Sequence, residues 1–137
     1  MKVTNFELSK KLAEIGFEAD FDWCYSKNDK DKSGIWSKTF EITCWEDEDI
    51  SNYYPAYDLE TIIEMFPAFV TDEECSYYFW LWNDGMGYYR SSKSYNSYQM
   101  NRAKFEISNS MNNESLADCA ARLLILLYER NLVEFNV

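Results

Sequence analysis

The sequence predicts an α+β fold: a single antiparallel sheet of about five strands, with N-terminal, middle and C-terminal helices packed mainly on one face, in the order α-β-β-α-β-β-β-α. Three observations predict it. The apolar residues switch between helical spacing and strict alternation along the chain. Short polar turns join the strand candidates, and no βαβ repeat calls for a parallel sheet. The last helix, Asn113 to about Asn131, carries Leu116, Cys119, Ala120, Leu123, Leu124 and Leu127 as one stripe that needs a sheet to cover it.

The first helix opens at Thr4-Asn5-Phe6-Glu7, which reads as a capping box with Thr4 as N-cap and Glu7 reaching back to it. Leu8, Leu12 and Ile15 fall on one face, and Gly16 is the stop. From Phe17 the period becomes two: Phe17, Ala19, Phe21, Trp23 and Tyr25 alternate with Glu18, Asp20, Asp22 and Cys24, a half-buried strand with an acidic outer face. Ile35 to Trp45 is its hairpin partner. The intervening Asp29-Lys30-Asp31-Lys32-Ser33-Gly34 matches the first half of a calcium loop, but Phe40 stands where the bidentate Glu belongs and the flanks are strands, so a solvated turn is expected and no metal.

Tyr53-Tyr54-Pro55-Ala56-Tyr57 is extended, because the residue before a proline avoids the helical region. Asp58 caps a short helix through Leu59, Ile62, Ile63 and Phe66, ended by Pro67. Ser76 to Trp82 is the most strand-like run, apolar on both faces and so expected to be central. Asn83-Asp84-Gly85 turns the chain into Met86 to Arg90, and Tyr98 to Ile107 adds a further strand. In the last helix, Asn112 and Asn113 offer capping oxygens, and residues 123 to 127 are apolar all round, which predicts cover from more than one side. The tail Leu132 to Val137 alternates and could add an edge strand.

A chain of 137 residues is most simply one domain, 1–137, able to bury a core without staples. Its four cysteines, at 24, 44, 75 and 119, form no CxxC pair, and with no histidine the usual zinc spacings are absent. The polar stretch Lys2 to Asn5 carries no secretory h-region, so reduced thiols in a cytoplasm are the expectation. The lack of histidine also excludes Ser-His and Cys-His nucleophile systems, and no spacing marks two carboxylates as a catalytic pair. A non-enzymatic protein without a cofactor is therefore expected.

Charge points to a partner. The net charge of −11 lies wholly in the first half: Met1 to Glu74 holds seven basic and eighteen acidic residues, Cys75 to Val137 six of each. Glu46, Asp47, Glu48 and Asp49 form the densest run, and Asp72, Glu73 and Glu74 a second. A solvated loop is the plain reading of either run. The sharper reading is that they present spaced negative charge to a protein surface that ordinarily binds phosphates, with Trp45, Tyr53 and Tyr54 as aromatic anchors beside them.

Pro55-Ala56-Tyr57-Asp58-Leu59-Glu60, Glu114-Ser115-Leu116-Ala117-Asp118 opening the last helix, and Leu8-Ser9-Lys10-Lys11-Leu12 with Gly16-Phe17 resemble small proteins encoded in bacteriophage and prophage genomes. These motifs are packing and capping signals, so the resemblance implies a setting, the host cell cytoplasm, more than a chemistry. By analogy that setting suggests an inhibitor of a host nucleic-acid-binding defence enzyme, of the anti-CRISPR kind, covering a basic guide, target or PAM site.

The leading expectation is thus an acidic protein-binding module whose partner has a basic surface. A second reading is a small-ligand domain with a pocket lined by Tyr77, Trp80, Trp82, Tyr88 and Tyr89. A third is a self-associating phage assembly protein, a homodimer through a sheet edge or the last helix. Direct nucleic-acid binding is opposed by the sign of the charge, and no segment predicts a membrane span.

Overall fold

A computed structural model describes residues 3–28, 34–37, 50–73, 75–90, 103–108 and 114–135. The class is α+β as predicted, but the strands form two antiparallel sheets rather than one. The elements run α1 (Phe6–Glu14), β1 (Trp23–Ser26), β2 (Ile35–Ser37), a 3-10 turn (Ile50–Asn52), β3 (Tyr53–Ala56), α2 (Leu59–Ile63), β4 (Phe69–Thr71), β5 (Ser76–Trp82), β6 (Gly85–Arg90), β7 (Ala103–Ser108) and α3 (Leu116–Glu129). The first sheet has the order β2-β1-β3 and the second β4-β5-β6-β7. Among the described residues no ladder joins β1 or β2 to β5, β6 or β7, and β3 and β4, each too short to show a period in sequence, add one strand to each sheet. Pro55 is tolerated in β3 because that strand is an edge, where one N–H can be spared from the ladder.

Capping explains where the helices stand. Asn5, not Thr4, is the N-cap of α1: its side-chain oxygen accepts from the Leu8 N–H at 2.9 Å. At the other end Gly16 takes φ 89°, Gly16 N–H donates to Ala13 O and Phe17 N–H to Leu12 O, so orphan carbonyls of the last turn are satisfied. Helix α3 starts two to three residues later than the asparagines suggest, with Ser115 as cap accepting from Asp118 N–H at 3.1 Å. It ends by the same device as α1, Asn131 standing at φ 60° while Leu132 N–H donates to Leu127 O. Asp58 caps α2 through Thr61 N–H at 2.8 Å, as read from sequence.

Helix α3 is the centre of the core. Leu123, Leu124 and Leu127 are fully buried, and the helix packs on β6 and β7 on one side and on α1 and α2 on others, the multiple cover that its apolar turn predicts. From the second sheet Val70, Tyr77, Met86, Tyr88 and Phe105 belong to the same core, with Phe79 and Ile107 packed against it. A smaller cluster of Phe6, Tyr25 and Ala56 joins the first sheet to α1, with Phe6 edge-on to Tyr25 and to Tyr54 at 5.7 Å. The stretch Phe17 to Phe21 is irregular rather than stranded, and Val133 to Phe135 is not a strand either. Phe17 nevertheless packs inward, 4.7 Å from the Tyr57 ring, so its alternation records burial without a ladder. Among the described residues no helix is long and apolar enough to cross a membrane.

The second sheet curls. Lys104 of edge strand β7 reaches Asp72, just past the opposite edge strand β4, at 3.1 Å, and its Nζ lies 5.3 Å from the centroid of the buried Tyr77 ring. A bulge between Tyr88 and Tyr89 in the β6–β7 pairing adds to the bend. Close contact of β6 with β7 depends on two glycines: a Cβ on Gly85 would run into the Ile107 carbonyl oxygen, and one on Gly87 into that of Phe105. Gly87→Ala is therefore expected to destabilise by about 1–3 kcal/mol, read as a lower urea midpoint with an unchanged slope.

Buried phenols set the alkaline limit. Burial pushes Tyr57 up from its ordinary 10.0 to about 12, with Glu18 adding to the shift and a hydrogen bond from the Ala19 backbone opposing it. Burial also raises Tyr88, whose hydroxyl donates to Pro67 O at 2.7 Å. Because these folded values exceed the unfolded one, the stability they carry is complete below pH 10 and falls as pH rises towards 12 and beyond. A titration is expected to show Tyr57 and Tyr88 ionising only together with loss of the far-UV circular dichroism signal.

Candidate protein-contact face

Strand alternation divides the aromatic residues of the second sheet between two environments. In β5 the register places Phe79 opposite Tyr88, both on the α3 side, and Tyr78 opposite Tyr89 on the other. Trp80 and Trp82 share the face of Tyr78, as does Phe69 of β4, which pairs with Tyr78. No described element covers this outer face. Trp80 is 63% exposed, Phe69 53% and Tyr78 41%, values far above those of an aromatic residue in a sheet covered on both sides. β5 is an inner strand and apolar on both faces as its sequence predicts, but burial is confined to its α3 side, where Tyr77 is buried, Phe79 half-buried and Leu81 exposed at the hairpin end.

The rest of the face is partly filled. Trp82 and Tyr89 meet edge-on at 5.4 Å although their strand positions are separated by the Trp80–Gly87 row, so the rings lean over Gly87, which offers no side chain to stop them. Burial raises the Tyr89 phenol, and a neighbouring Glu106, hydrogen-bonded to it, raises it further. What remains open is a platform of Phe69, Tyr78 and Trp80, with the Phe69 and Tyr78 rings 6.0 Å apart. Its described charged neighbours are acidic: Glu106 in the Trp80–Gly87 row, Asp84 at the hairpin tip beside Trp82, and Glu73 in the β4–β5 turn, all exposed. The basic residues of this sheet take the opposite side, Arg90 lying opposite the buried Tyr77 and Lys104 over the Tyr77 and Phe105 rings.

The residues singled out from sequence are distributed differently. Trp45, Glu46, Asp47, Glu48, Asp49 and Glu74 lie outside the described residues, as do residues 29–33 of the calcium-like loop. Tyr53 and Tyr54 belong to β3 in the first sheet, where Tyr54 is half-buried against Phe6 with Lys27 Nζ 5.2 Å from its ring centre. Asp72 and Glu73 follow β4 in the second sheet. Asp72 accepts from Cys75 N–H at 3.0 Å and from Lys104 Nζ at 3.1 Å, so its charge is met within the fold, while Glu73 is exposed. Asp72 and Glu73 are thus brought together, and Tyr53 and Tyr54 stand on another sheet. The five aromatics assigned to a ligand pocket do not line one cavity: Tyr77 and Tyr88 are in the core, Trp80, Trp82 and Tyr89 on the outer face. An open cavity of about 470 Å³ lies elsewhere, at the C-terminal end of α3 between Tyr128 and Phe135.

Sequence reading missed Phe69 as a site residue because Phe69–Thr71 went unassigned. A signal existed in β5, where Tyr78, Trp80 and Trp82 recur at every second position with polar atoms at their rims, the side chains that tolerate a half-wet face. Comparison with protein-family models, with curated proteins and with solved structures finds no match.

Proposed function

We propose that this chain is a non-enzymatic protein-binding module whose contact face is the outer side of the second sheet, and whose partner presents a basic surface. The observation that carries the reading is the coincidence of three exposed aromatic rings, Phe69, Tyr78 and Trp80, on one face whose described charged neighbours are acidic. Exposed tryptophan and tyrosine grouped on a flat patch are what interface centres are made of, and a negative rim steers a positive partner. The net charge of −11 acts in the same direction at longer range. In its most concrete form the module is an inhibitor of the phage anti-defence kind that covers a basic nucleic-acid-binding surface, its acidic residues standing in for phosphates.

The test is a capture of host nucleic-acid-binding proteins by the tagged chain, eluted in a salt gradient. It is run beside Phe69→Ala/Trp80→Ala and beside a variant with Glu46 to Asp49 changed to Gln and Asn. The expected result is a partner released by moderate salt, displaced by excess duplex DNA or RNA, and lost from the aromatic variant. A partner retained equally by both variants would exclude this face and this charge.

A further inference from the structure

Resting on that reading, we infer that the Phe69–Tyr78–Trp80 platform takes arginine side chains of a basic protein segment, each guanidinium stacked flat on a ring with its N–H edge turned to the acidic rim. Three rings set on a sheet face give planar π surfaces, and Trp80 offers the largest and most exposed of them. Glu106 lies in the same cross-strand row as Trp80, two strands away across Gly87, which puts a carboxylate roughly 10 Å from the Trp80 backbone and within the span of a long side chain laid over the ring. Guanidinium suits such a place better than ammonium: it is planar, more weakly hydrated, and can stack and donate hydrogen bonds at once.

Other occupants fit less well. The open rings expose on the order of 350 Å² by the size of aromatic side chains, short of the ~800 Å² per partner that a stable protein dimer buries. A second copy would also bring its own −11 and the same acidic rim against this one. A nucleic-acid strand could stack its bases here, but its phosphates would meet Glu73, Asp84 and Glu106 without a described basic residue on the face to receive them. The small open area and the charge both favour an extended cationic segment.

The experiment titrates the full chain with nona-arginine and nona-lysine, following Trp fluorescence and calorimetry at low and moderate salt. Trp80→Ala, Trp80→Tyr and Glu106→Gln are measured beside the wild type. Thermal melting checks each fold, which the exposure of Trp80 and Glu106 should leave intact. Nona-arginine is expected to bind about tenfold more tightly than nona-lysine, with the preference abolished in Trp80→Ala, kept in Trp80→Tyr and reduced in Glu106→Gln. Equal affinity for the two peptides, unchanged by Trp80→Ala, would overturn the arginine assignment and leave the acidic module standing. Failure of both peptides to bind would overturn both. A concentration-dependent mass lost in Trp80→Ala would overturn the assignment in favour of a second copy.

Discussion

Leu123→Ala is expected to lower the free energy of unfolding by about 2–5 kcal/mol, the range for truncating a buried leucine. Leu123 is fully buried on α3 beside Leu124 and Leu127. The size of the loss within that range depends on how far the surroundings can close the hole. Here they are held from several sides: β6 and β7 are tied by their ladder, and α1 and α2 pack on the same helix. Collapse of any one of them would open a gap elsewhere, so the upper half of the range is expected. Since a domain of ordinary stability has only about 5–15 kcal/mol in hand, this single change consumes a large share of it. Urea unfolding should report it as a lower midpoint with unchanged slope, and Leu126→Ala, at a half-buried position, should cost clearly less. Equal costs at the two positions would mean that α3 is not the centre of the core.

That centre was legible in the sequence because α3 is long, capped and apolar on a wide stripe, signals that add up over fourteen residues. The cap at Asp58 was legible for a different reason, since it is a local backbone requirement met by a side chain, and the hairpin at Asn83–Asp84 because a polar pair interrupts two strand-like runs. Division of the strands into two sheets was not. Strands β3 and β4 span four and three residues, too few for a period to show; β3 pairs with β1, far back along the chain, and although β4 meets β5 across a short turn, no local pattern records which strands share a ladder.

The outer face of the second sheet illustrates the same limit. Tyr78, Trp80 and Trp82 are apolar by composition, and apolar residues on both sides of a strand suggest burial on both. Whether a layer lies over the second side is a property of the remaining elements: α1, α2 and α3 gather on the other face and around the first sheet. Charge pairing is equally invisible: Lys104, thirty-two residues on, reaches Asp72 across the curl of the sheet, a contact that no local pattern announces.

Thr4→Val should be the second large effect, costing about 2–3 kcal/mol although it keeps the shape of the side chain. Thr4 is fully buried where the chain enters α1. Its hydroxyl accepts from the Tyr57 N–H at 3.1 Å and lies 2.7 Å from the Ser9 hydroxyl; its N–H donates to Tyr57 O at 3.0 Å, and its carbonyl accepts from the Tyr25 hydroxyl at 2.9 Å. Next to it Asn5 N–H donates to the Asp118 carboxylate at 2.8 Å, in the first turn of α3. Residues 4 and 5 therefore join β1, the end of β3, α1 and α3 through polar contacts, those of the Thr4 hydroxyl and carbonyl being buried. Valine removes the acceptor for a buried backbone donor, and a buried donor left unmet costs its desolvation in full. Tyr25→Phe acts on the same group of contacts, so the double variant is expected to lose less than the sum of the two, a non-additivity that equilibrium unfolding can read. The network lies around the first sheet, whereas the aromatic platform is on the second. Thr4→Val at a temperature where it remains folded should therefore bind nona-arginine as the wild type does, while Trp80→Ala should melt as the wild type does and lose the arginine preference. That crossed pattern separates what holds this fold together from what its exposed face is for.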